Sequence, residues 1–161
     1  MEKQNELQIH SASETAKVII RLTDPDVGDI ISNLKLQKLL YYVQGFHLAV
    51  FDKPLFKEDI VAWEYGPVVR EVYDEYKGYG KGAIPFPDKN FEDTLAQEQF
   101  DLMVDVYHVY GQYTAVRLME LTHEELPWIN TKKNEVISPK LMKSYFLTQL
   151  TDNEDLFHIP A

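Results

Sequence analysis

Apolar residues return at steps of three and four along most of the chain, the spacing that lays them on one face of an α-helix. Ala12, Ala16, Ile19 and Ile20 share such a face, and Ser11 with Glu14 has capping-box spacing at its start. The stretch Thr23-Asp24-Pro25-Asp26-Val27-Gly28-Asp29 reads as a loop, because Pro and Gly interrupt helices and aspartates favour turns. Ser32 is placed to cap a second helix, with Ile31 positioned to staple onto Leu36. Leu36, Leu39, Leu40, Val43, Phe46, His47 and Val50 carry that helix for about five turns. Gly45 falls inside it, where Gly costs ~1 kcal/mol relative to Ala. Its bare Cα admits a close neighbour, and the corner around Trp63 is the neighbour expected.

The pattern changes after Asp52-Lys53-Pro54. Ile60 to Trp63 predicts a short strand, with Ala83-Ile84 as its expected partner. Pro67, after Gly66, suits the first position of a helix whose apolar face is Val69, Val72, Tyr73 and Tyr76. Arg70 and Asp74 are spaced for an i,i+4 pair on its other side. Tyr79 to Lys89 is a Gly- and Pro-rich loop. Three more helices follow: one from about Thr94 to Tyr110 with a Thr94/Gln97 capping box, one capped by Thr114, and one opened by Ser138-Pro139. The expected fold is mainly α, one compact multi-helix domain over 11–150, with at most a small β element near 60–64 and 83–86. Residues 1–10 read as an N-terminal tail and 151–161 as an acidic C-terminal tail, expected to be mobile as chain ends usually are, with a docking peptide for a basic groove as the alternative.

Composition narrows the function. At 161 residues with 45% hydrophobic content, the chain is long enough to bury roughly two thirds of its unfolded surface. No apolar run reaches the ~20 residues of a membrane span, and MEKQNELQIH lacks a signal peptide's apolar centre, so a cytoplasmic protein is expected. With no cysteine, thiolate metal sites and cysteine nucleophiles are excluded. The net charge of −10 is spread over both halves, which disfavours direct nucleic-acid binding and favours a basic protein partner.

Candidate chemistry is thin. Asp105/His108 and Glu120/His123 each place an acid and a histidine on one helical face, but a carboxylate-bridged metal site needs further inward carboxylates. His123-Glu124-Glu125-Leu126-Pro127 lacks the second histidine of a zincin motif. Gly78-Tyr79-Gly80-Lys81-Gly82 follows a helix rather than leading into one, opposite to a phosphate-binding loop. No Gly-x-Ser-x-Gly is present. No metal and no cofactor is expected.

What remains is Ala62-Trp63-Glu64-Tyr65-Gly66-Pro67-Val68-Val69-Arg70. Trp, Tyr and Arg are the usual anchors of protein interfaces. Together with Leu36-Gln37-Lys38-Leu39-Leu40-Tyr41-Tyr42, Gly45, Pro54-Leu55-Phe56, Tyr73, Tyr76-Lys77, Leu121-Thr122-His123-Glu124 and Pro127-Trp128, this stretch resembles the Panacea domain of SocA-like antitoxins, a family that includes phage-associated proteins of the GepA type. The resemblance covers about residues 12–150. It implies a helical bacterial domain that neutralises a cognate protein toxin by direct contact, without catalysis, and in some members by delivering the toxin to a cellular protease. A phage accessory protein acting on a host factor is one alternative, and a metal-dependent enzyme using His108 and His123 is another. The expected partner-binding residues are the exposed edges of Lys38, Glu64, Tyr65, Gly66, Pro67 and Arg70. Gly45, Trp63 and Trp128 are the expected structural ones.

Overall fold

The helix Asn33–Phe51 (α2) is enclosed on nearly every side. The computed structural model, which describes residues 7–152, shows Leu36, Leu39, Leu40, Tyr41, Tyr42, Val43 and Phe46 all 2% exposed or less. A helix covered all round must lie at the centre of its domain. Around it stand α1 (Ala12–Arg21), α4 (Gln97–Tyr110), α5 (Ala115–His123) and α7 (Pro139–Asp152), with a single-turn α6 (Leu126–Ile129) packed against α5 and α7. A short α3 (Arg70–Tyr76) follows a hairpin made of β1 (Val61–Trp63) and β2 (Gly66–Val68). The mainly α fold class read from the sequence is the one observed.

The helix starts follow from their caps. Ser11, Ser32 and Thr114 each accept a backbone N–H three residues on, satisfying donors that a helix leaves unpaired at its N-terminus. Thr94 does not cap α4. Its hydroxyl and backbone N–H donate to Glu14 instead, and α4 begins after Ala96, whose N–H donates to Gln99 Oε1 at 3.0 Å.

Polar residues of α2 are also buried, each fastening a different piece of irregular chain. Gln44 accepts from the N–H groups of Leu55 and Phe56 and donates to the Phe56 carbonyl. Gln37 accepts from Val69 N–H at 2.8 Å, and Lys35 donates to the Gly111 carbonyl at 2.6 Å. His47 Nδ1 lies 2.5 Å from the Lys53 carbonyl. Buried backbone groups outside regular structure need partners, and α2 supplies them. At the N-terminal end of the described chain His10 bridges Phe56, exchanging hydrogen bonds with Leu55 and Lys57.

Three expectations are corrected. Trp63 does not approach Gly45. The ring of Phe146 from α7 does, and a Cβ on Gly45 would sit 2.1 Å from its Cε2. Ile60–Trp63 does not pair with Ala83-Ile84. The N–H of Ile84 donates to Ile31, while β1 pairs with β2 in the register Val61↔Val68, Trp63↔Gly66. The other edge of β1 is met by residues 134–137, through Ala62 N–H to Glu135 and Ile137 N–H to Ile60. Pro67 therefore lies in a strand, and α3 starts at Arg70.

Candidate functional site

The hairpin is fastened to the fold from more than one side. Glu64 and Tyr65 form its tip, and Gly66 follows with φ of 106°, a conformation that glycine adopts without steric cost. A Cβ there would also meet Lys38 Cε at 2.7 Å and Thr122 Oγ1 at 2.8 Å. From below, Lys38 Nζ donates to the Pro67 carbonyl at 3.0 Å. From the side, the indole N–H of Trp128 donates to the Trp63 carbonyl at 2.8 Å. Tyr73 of α3 packs edge-on against the Trp63 ring, with centroids 5.0 Å apart.

These fastenings leave the tip exposed. Tyr65 is 60% accessible and Glu64 is exposed, its carboxylate 3.9 Å from Lys133 Nζ. Beside the tip lies a cleft of about 260 Å³, walled by Trp63 and Trp128, floored by Ala62, and edged by Glu64, Ile129 and Lys133. Ile129 is 51% exposed at its mouth. Aromatic walls with a charged rim of both signs match the make-up of protein-binding hot spots.

The predicted site residues divide on this geometry. Glu64 and Tyr65 stand on the surface together. Gly66 and Pro67 are buried beneath them and fix the turn. Arg70 is exposed but does not pair with Asp74. Its guanidinium reaches the Asn134 carbonyl at 3.4 Å, and Asp74 lies 3.5 Å from Lys77. Lys38 is corrected outright. It is fully buried on α2, because its side chain points at the inner face of the hairpin and is covered by it. Desolvation pushes its pKa down to about 7. Trp63 and Trp128 are half-buried, joining structural support to the cleft walls.

A second polar cluster went unread in the sequence. Glu125, at the α5–α6 joint, accepts from the hydroxyls of Tyr41 at 3.0 Å and Tyr42 at 2.9 Å. Burial pushes its pKa up to about 7, against the lowering effect of hydrogen bonds from Tyr42, Tyr41 and Tyr145. Burial and the nearby carboxylate push both Tyr41 and Tyr42 above the ordinary tyrosine range. The tandem Tyr41-Tyr42 was the available signal, since paired buried hydroxyls need an acceptor.

His108 and His123 do not form a shared cluster. His108 is exposed on α4, whereas His123 stacks on Trp128 at 4.2 Å with a buried Nε2 lacking a hydrogen-bond partner among the described residues. No group of three His, Asp or Glu side chains among the described residues is arranged to hold a metal ion.

The fold thus defines a mainly α compact domain displaying a braced β-hairpin. Residues 36–129, more than half of the chain and the part containing α2, the hairpin and α5–α6, match the family described as antitoxin SocA-like, Panacea domain. The chain belongs to that family. It is similar to the Antitoxin SocA of Caulobacter vibrioides, 43% identical over 54 residues, which cover 34% of this chain and 29% of that protein. No solved structure matches the chain. No helix among the described residues is long and apolar enough to cross a membrane.

Proposed function

We propose that this protein is an antitoxin that neutralises a protein toxin by direct contact through the hairpin tip and the adjoining Trp63/Trp128 cleft, without catalysis. The observation that carries the reading is the contrast at Glu64-Tyr65. A large aromatic stands in solvent on a backbone fixed from below by Lys38 and from the side by Trp128. An exposed Tyr on a mobile loop loses entropy when it docks, and bracing removes much of that cost before the partner arrives. Family membership supports the antitoxin role.

The proposed partner is basic on the surface it presents. The chain carries −10, and the complementary sign accelerates encounter. Co-expression with a toxic reading frame adjacent to its gene tests the proposal: growth should return, with the two chains co-purifying. Blocking predicts an unchanged toxin half-life, whereas delivery to a protease shortens it. Growth rescue without any complex, even with proteolysis disabled, would contradict direct neutralisation.

A further inference from the structure

An open cleft lies away from the hairpin, between the loop before α2, the C-terminal end of α4 and the start of α5. Its volume is about 690 Å³, within the usual range for small-molecule sites, and it is broadly open to solvent. Its lining runs against the charge of the protein. In a chain of net charge −10, two lysines, Lys35 and Lys81, meet a single carboxylate, Asp29. That carboxylate is already engaged, since Asp29 Oδ2 accepts from the Tyr107 hydroxyl at 2.5 Å and from Asp24 N–H at 3.1 Å.

Lys35 is the decisive group. It is 8% exposed, and the Gly111 carbonyl at 2.6 Å accepts one of the three N–H groups of its ammonium. The Asp29 carboxylate offsets part of the cost of burying this cation, whose hydrogen-bond acceptor is the neutral Gly111 carbonyl, and a ligand anion in the cleft would relieve the remainder. The opposite wall adds donors. Thr114 caps α5 by accepting from Arg117 N–H, and the next amides of the helix have no intrahelical partner. His108, near the end of α4, also lines the cleft.

We propose that this cleft is a binding site for a small phosphate-bearing molecule, held between Lys35 and Lys81 with its oxygens facing the start of α5. A phosphate monoester offers up to two negative charges and three acceptor oxygens, matching two ammonium groups and a set of amide donors. The proposal is independent of toxin binding, because the lining shares no residue with the hairpin corner.

Backbone amide NMR on the full chain tests it, with inorganic phosphate and then pyrophosphate added at constant ionic strength against chloride. The amides of Gly111, Ala115 and Val116 should shift saturably, while those of Tyr65 and Gly66 stay still. Lys81 is exposed, so Lys81→Ala should keep the wild-type spectrum elsewhere and weaken binding on the order of tenfold, the usual worth of one charge-assisted hydrogen bond. Lys35→Met should remove saturation altogether. A linear, non-saturating response, or a well-folded Lys81→Ala variant that binds as tightly as the wild type, would overturn the proposal.

Discussion

Lys38 Nζ donates to the carbonyl oxygen of Pro67 at 3.0 Å, joining the central helix to the inner face of the hairpin while fully shielded from water. An ammonium held there with its pKa near 7 makes the hairpin's support dependent on pH.

The sign follows from linkage. A free lysine titrates near 10.4, so between about 7 and 10.4 the unfolded chain binds a proton that the folded chain has released. Lys38 therefore favours folding at high pH, and this contribution is lost as pH falls toward 7. Urea unfolding of wild type and Lys38→Met at pH 7, 8 and 9 should show the wild type gaining stability relative to the variant at each step. A constant difference would contradict the burial of the charge.

Glu125 predicts the opposite trend. Its folded pKa of about 7 lies above the ~4.3 of a free glutamate, so its contribution is complete below ~4.3 and lost as pH rises through about 7. The stability difference between wild type and Glu125→Gln should shrink from pH 4.5 to pH 7. Tyr42→Phe removes a donor from the buried carboxylate and should cost about 1–3 kcal/mol, checked at pH 8 where the group is charged.

Gly45→Ala sets two effects against each other. Helix propensity favours Ala by ~1 kcal/mol, but the new methyl would overlap the Phe146 ring. Overpacking of a filled core costs about 1–3 kcal/mol, so net destabilisation is expected in denaturant melts. Adding Phe146→Leu should recover part of the loss, because the two sites touch and couple.

The element pattern was legible wherever local chemistry decided it. Ser11, Ser32 and Thr114 cap their helices as their positions suggested, and the period of α2 gave its length. The hairpin was not legible. Gly66-Pro67 reads equally as a helix start, and what settles it is the distant segment 134–137, which lends β1 a second edge without any strand-like pattern of its own. Lys38 misled for a related reason. A lysine reads as a surface residue, and only its placement opposite Pro67 explains why one is buried.

Trp128→Phe separates support from recognition. It keeps a ring on the cleft wall while removing the N–H that holds the Trp63 carbonyl. About 1 kcal/mol of stability should be lost, equivalent to a fall of roughly 2–4 °C in Tm for a chain of this size. Partner affinity should fall further than stability, because the tip is then ordered only on binding.

The central claim rests on Tyr65, and one comparison tests it most directly: the affinity of Tyr65→Ala for the proposed toxin partner, measured by calorimetry beside its melting temperature. Tyr65 is 60% exposed, so truncation should leave Tm within about a degree of wild type. Loss of an interface anchor should weaken binding by ~2 kcal/mol or more, roughly 30-fold. Glu64→Ala and Arg70→Ala serve as companions, with smaller losses and Tm likewise unmoved. Wild-type affinity in a Tyr65→Ala protein that melts normally would contradict the account and place the toxin contact elsewhere on the domain.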